Sequence, residues 1–149
     1  MARPRRISFL LQLVALNQRM EELVERELAR DGVIARDYAL LSTLGVWGPI
    51  TLTDAAEILG MPLTTASDAV KRLIARGAAR RSPNPADGRS QLLELTEAGR
   101  DEWKRGWPGL RRTNAAIERH LELSERDARH AVAAIDRALA RALEERPAP

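Results

Sequence analysis

Residues 53–77 read TDAAEILGMPLTTASDAVKRLIARG, and this stretch decides the fold. Gly60 and Gly77 punctuate it, and apolar residues recur between them at three- and four-residue spacing. The spacing predicts two short helices joined by a tight turn at Gly60. The first runs from Thr53 to Leu59 with Thr53 as its N-cap; the second runs from Leu63 to Arg76, opened by Pro62 and closed by Gly77. Ala55 and Ala56 are small enough to let the helices approach closely. Ala66, Ala69, Val70 and Leu73 form the inward stripe of the second helix, which leaves Leu63, Thr64, Thr65, Ser67, Asp68, Lys71 and Arg72 outward. Hydroxyls near a helix start, where backbone N–H groups are unfilled, bond phosphate or base edges, and Lys and Arg further along add positive charge. Such a helix suits the major groove of DNA, although an ordinary helical hairpin has the same spacing.

The sequence after Gly77 changes character. Residues 78–82 and Leu92, Leu93 and Leu95 read as two short strands, and Pro83, Asn84, Pro85, Asp87 and Gly88 between them are turn chemistry. Arg80 and Arg81 lead into this hairpin, and Arg89 sits at its tip. An Arg on a narrow β-turn can enter the minor groove, where negative potential is highest, and Asp87 can orient its guanidinium while also making the turn. Residues 62–90 hold six basic residues against two acidic ones, a net charge of +4 in a chain whose total is +3. On charge alone that stretch reads equally as a footprint for phosphate or as a solvated basic face.

Long amphipathic helices flank this unit. Ile7, Leu10, Leu11, Val14, Met20, Leu23, Val24 and Leu28 predict a helix over 7–30, ended by Gly32. Tyr38, Leu40, Leu41 and Leu44 predict one over 36–45, broken by Gly45, Gly48 and Pro49. Thr96 starts a helix that reaches His120, with Gly106, Pro108 and Gly109 predicting a kink or interruption. Ser124 and Asp127 open a last helix whose stripe is Ala128, Val132, Ile135, Leu139 and Leu143; Pro147 to Pro149 read as a frayed end. The fold class is therefore mainly α with a small β-wing: a winged helix-turn-helix over 35–96, with a helical dimerisation region over 1–34 and 97–149. The terminal helices carry more apolar surface than so small a unit can cover, which predicts a second copy of the chain as its partner.

Other classes find less support. There is no Gly-rich phosphate loop, no Ser–His pairing and no framed pair of carboxylates, which argues against an enzyme. The chain has no Cys, so disulfides and thiol redox sensing are excluded and a reducing cytoplasm fits. Its two histidines, His120 and His130, do not share a helical turn, so neither metal nor other cofactor is expected. Arg3, Arg5 and Arg6 before the run from Ile7 to Leu16 mimic a secretory signal. Gln12 interrupts that run, no A-x-A-like site follows, and no stretch reaches the ~18 apolar residues of a membrane span.

Three stretches together resemble one family: TLTDAAEILGMPLTTASDAVKRLIARGAARR at 51–81, ADGRS at 86–90 and LLELTEAGR at 92–100. The Asp-x-Arg wing followed by Leu-Thr-x-x-Gly is the specific part. The chain resembles the MarR family of bacterial transcriptional regulators over roughly residues 7–145. The resemblance implies a triangular homodimer with interlocked terminal helices that binds double-stranded DNA, most often as a repressor on a pseudo-palindromic operator. It implies that Leu63 to Ala75 is the recognition helix, beginning after Pro62, that Arg89 is the minor-groove residue supported by Asp87, and that Arg81 ends the strand entering the wing. Asp68 departs from it, standing where many members carry Arg. Asp can accept from cytosine N4 or pair with Arg72 four residues on, which leaves base preference open. Family members often bind small aromatic or lipophilic effectors beside the winged domain. The lining this implies here is Met20, Tyr38, Trp47, Trp103 and Trp107; the plainer reading is that the tryptophans pack the core and the kink. A winged module used only for protein contacts, and a sequence-independent architectural DNA protein, are the alternatives.

Overall fold

The computed structural model describes residues 8–145, so Ile7, the N-terminal arginines and Pro147 to Pro149 lie outside the described residues. The chain divides into two compact units, one ending at Thr113 and one beginning at Asn114.

The first unit begins with helix α1, Phe9–Ala29, whose N-cap Ser8 accepts from the Leu11 amide. A single 3₁₀ turn, Ala35–Asp37, leads into α2, Tyr38–Trp47. The short strand β1, Ile50–Thr51, precedes α3, Leu52–Ile58, and then α4, Leu63–Ala75. Strands β2, Ala79–Pro83, and β3, Gln91–Leu95, form the wing, and α5, Glu97–His120, follows. The sheet is antiparallel in the order β1-β3-β2, with Ile50 and Arg81 both opposite Leu93. Leu28, Leu40, Leu41, Val70, Leu73 and Leu93 are the largest fully buried side chains, so α1, α2, α4 and the wing share one core.

Two glycines set the path of the helix-turn-helix. Gly60 has φ +59° and Gly77 φ +74°, left-handed values that side chains with a Cβ rarely adopt. At Gly77 the amides of Gly77 and Ala78 return to the carbonyls of Ile74 and Leu73, closing α4 and aiming the chain into β2.

Several boundaries differ from the sequence expectation. Thr51, not Thr53, caps α3: its Oγ1 accepts from the Asp54 amide while Asp54 accepts from the Thr51 amide, a full capping box. Gly45 lies inside α2 rather than ending it, and it serves close packing there, since the Trp103 indole rests where a Cβ would be. Helix α5 is not interrupted at Pro108. A Cβ at Gly106 would fall within the Tyr38 ring, and one at Gly109 would press on the Glu27 carbonyl and Leu28. Close packing along α5 thus offsets the ~3 kcal/mol cost of an internal Pro. Arg112 fastens the same helix to α1, donating to the Glu27 carboxylate at 2.9 Å and carbonyl at 2.8 Å and to Asp31 at 2.8 Å.

The second unit comprises the last turns of α5, from Asn114, and α6, Glu125–Glu144, capped by Ser124 on the Asp127 amide. None of the side chains of α6 is buried, and Val132, Leu139 and Leu143 are exposed. On α1, Phe9, Leu10, Leu11, Val14 and Leu16 are exposed as well. Among the described residues no helix is long and apolar enough to cross a membrane.

Candidate nucleic-acid interface

Helix α4 buries Ala66, Ala69, Val70 and Leu73. Pro62, Leu63, Thr64, Thr65, Asp68 and Lys71 are exposed and Ser67 is half-buried. Pro62 occupies the N-cap and offers no side-chain acceptor, so the first amides of α4 stay open beside the Thr64 and Thr65 hydroxyls. An open helix start with hydroxyls around it is competent to bind an anionic oxygen.

The charged residues of α4 are arranged differently from the local expectation. Asp68 does not pair with Arg72. Lys71 Nζ donates to Asp68 Oδ1 at 2.9 Å and holds that carboxyl below its ordinary value. Arg72 turns back into the fold, where its Nε and Nη2 reach Asp37 Oδ1 at 3.1 and 2.6 Å. Arg76 Nη1 donates to Asp37 Oδ2 at 3.0 Å and its Nη2 to Glu102 at 3.1 Å. Asp37 is only 3% exposed. Burial pushes its carboxyl up, and the guanidinium hydrogen bonds from Arg72 and Arg76 outweigh this to leave it below its ordinary value. Arg72 is therefore largely committed to anchoring α4 against the start of α2, because a buried carboxylate outcompetes an exposed one four residues away. No feature of the sequence around Asp37 singles it out; its partners lie 35 and 39 residues away.

The wing is held by its own short-range bonds. Asn84 accepts from the Ala86 amide and donates to Ser90 Oγ at 2.7 Å. Asp87 accepts from the Arg89 backbone amide at 3.0 Å, so it shapes the turn under Arg89 rather than gripping the guanidinium. The Arg89 side chain is exposed and has no ion-pair partner among the described residues. Arg81 lies at the middle of β2, not its end, and its Nη1 donates to Gln91 at 3.1 Å across the hairpin. Arg81 and Arg89 line a polar hollow of about 410 Å³ together with Thr51, Thr53, Ser90 and Gln91.

A second, mostly apolar cleft of about 660 Å³ is lined by Met20, Val24, Ala35, Tyr38, Ala39, Ser42 and Leu110, with Glu21, Glu25 and Arg36. Of the five expected lining residues it brings together Met20 and Tyr38. The tryptophans are elsewhere: Trp103 and Trp107 meet edge to face at 5.1 Å, Trp103 covers Gly45, and Trp47 is exposed. Tyr38 donates to the Trp103 carbonyl, and the buried Ser42 hydroxyl lies beside the Tyr38 hydroxyl.

The model of the MarR family matches residues 31–90, the span from the end of α1 through the wing tip. The multiple antibiotic resistance protein MarR of Salmonella typhimurium is 29% identical over 84 residues, which cover 56% of this chain and 58% of that relative. The chain thus matches little more than half the length of that relative. A probable transcriptional regulator from Pseudomonas aeruginosa, known from its crystal structure, is 30% identical, with 85% of this chain and 95% of that chain covered at a TM-score of 0.74. The MOSR transcriptional regulator of M. tuberculosis, crystallised in complex with DNA, is 19% identical, with 91% and 98% covered at a TM-score of 0.79, a likeness of fold. With its helix-turn-helix and wing matched by the family model, and a solved regulator aligned along almost all of its own length, the chain belongs to the MarR family of winged helix-turn-helix transcriptional regulators.

Proposed function

We propose that this chain is a sequence-specific DNA-binding regulator, a repressor that acts as a homodimer on a pseudo-palindromic operator in the cytoplasm. The observation that carries the reading is the pairing of two open surfaces: the hydroxyl-lined start of α4, and an Arg89 that has no ion-pair partner among the described residues, on a turn whose backbone is already fixed. A protein-contact module has no need of a free cation at a rigid wing tip. Pro62, Leu63, Thr64, Thr65, Ser67, Asp68 and Lys71 would face the major groove, Arg89 the minor groove, and Arg81 the backbone. Asp87 and Arg72 hold those elements in place. The fold likeness to MOSR, crystallised with DNA, is consistent with that arrangement. The exposed apolar faces of α1 and α6 favour a dimerisation region over 1–34 and 97–149, with 35–96 as the DNA-binding unit. The cleft beside Tyr38 is of a size and apolarity to take a small aromatic or lipophilic effector that releases the operator.

Fluorescence anisotropy on a fragment from upstream of the protein's own gene, at several salt concentrations with scrambled competitor, tests this reading. A dimer reading two half-sites about 10 base pairs apart should prefer that fragment by ~10³-fold or more. Equal competition by scrambled DNA favours an architectural role, and no binding at low salt overturns the reading.

A further inference from the structure

The face that α4 presents carries one carboxylate and one cation, and they are bonded to each other at 2.9 Å with 62% and 68% of their side chains exposed. The other outward residues, Leu63, Thr64, Thr65 and Ser67, carry no charge. Arg72 does not add to this supply, since Asp37 holds it. A carboxylate on a helix in the groove is repelled by every phosphate around it, so its only attractive partners there are base-edge amino groups. Two exist in the major groove, cytosine N4 and adenine N6. Adenine places an acceptor, N7, beside its amino group, and an acceptor-only carboxylate cannot satisfy both. Cytosine offers its amino group alone, and the guanine across from it offers the acceptors O6 and N7, which suit an ammonium. In that base pair cytosine N4 and guanine O6 are themselves hydrogen-bonded, so they stand at the same kind of separation as the Asp68 oxygen and the Lys71 nitrogen. An acceptor–donor pair one helical turn apart therefore matches the donor–acceptor edge of one C·G pair.

We propose that Asp68 is the specificity-determining residue of the recognition helix, reading cytosine N4 while Lys71 takes the paired guanine, so that each half-site requires one C·G pair in a fixed orientation. This rests on the DNA-binding reading. Asp68 lowers affinity for all DNA through phosphate repulsion and restores it only where the cytosine is present. Lys71 beside it favours the ionised, acceptor-only form of the carboxyl.

The test is selection from a randomised duplex library by the full-length protein, alongside Asp68→Ala and Asp68→Asn, followed by affinities on the selected duplex and its single-pair variants. Asp68 is exposed and its side chain is bonded to an exposed Lys, so both variants should fold. The wild type should enrich a C·G pair at one symmetric position, with replacement costing about 5- to 150-fold in affinity. Asp68→Ala should lose discrimination at that position alone, keep it elsewhere, and bind scrambled DNA more tightly at low salt. Asp68→Asn, which adds a donor, should move the preference toward A·T. Enrichment by the wild type without such a position, or full discrimination retained by Asp68→Ala, overturns the proposal and leaves the regulator reading standing. A wild type that enriches no sequence overturns both.

Discussion

Replacing Asp37 with Ala removes the acceptor on which two arginines of α4 converge. Breaking a buried ion pair from one side typically costs ~3–5 kcal/mol, because the remaining charge is left uncompensated. Here the discount is substantial. The Arg72 and Arg76 side chains remain 36% and 24% exposed, so water can reach both, and Arg76 keeps Glu102. The expected loss is about 2–3 kcal/mol, which for a chain of this size lowers the melting temperature by roughly 4–12 °C at fixed protein concentration. The pH dependence gives a sharper criterion. The folded Asp37 carboxyl lies below its ordinary value of 3.8, so its contribution is fully present above that value and is lost as pH falls through the folded one. Melting curves of wild type and variant should therefore be furthest apart near neutral pH and converge below about pH 4. A difference of less than about 2 °C at neutral pH, or one that stays constant down to about pH 3, refutes the reasoning.

Other outcomes follow from particular contacts. Arg89→Ala should leave stability within ~0.5 kcal/mol while weakening DNA binding and reducing the slope of log affinity against log salt by about 1, read by anisotropy. Gly99→Ala places a Cβ against the Ala78 carbonyl, and backbone cannot swing aside; urea titration should show a loss at the upper end of ~1–3 kcal/mol. Thr51→Ala should cost ~1 kcal/mol through the capping box, whereas Thr53→Ala should cost little, a comparison that separates the two threonines by thermal melting.

The helix-turn-helix and wing were legible because their signals are local. Gly60 and Gly77 mark backbone positions with positive φ, and Asn84, Asp87 and Gly88 are residues that build turns from their own side chains. The α3 cap was legible too, though easily misassigned: Thr51 has an acidic residue three positions on, Asp54, and Thr53 has Ala56. Strand β1 was not legible, since two residues carry no periodicity. The continuity of α5 through Pro108 depends on Tyr38, Glu27 and Leu28, all remote in sequence. The Arg72–Asp37 bond was hidden for the same reason. Helical spacing offers Asp68 as the partner, and only the burial of Asp37 reverses the choice. The tryptophans left two readings open, because composition shows that they are few and not where their rings point; Trp103 packs against Gly45, as the plainer reading expects.

Those three rings, the whole tryptophan content of the chain, stand in two different optical environments. Trp47 is in water at the end of α2, while Trp103 and Trp107 are electronically close neighbours, with Trp103 against Gly45. The Trp103 carbonyl accepts from the hydroxyl of Tyr38, which is part of the cleft wall. A molecule entering that cleft touches the ring whose hydroxyl is bonded to the backbone of an emitter. Trp47→Phe would strip out the most exposed of the three signals and leave the coupled pair, of which Trp107 is also partly in water, as the sole source of long-wavelength emission. Titrating candidate compounds against that variant would turn effector discovery into a label-free fluorescence screen, one that needs neither the operator nor the regulated gene.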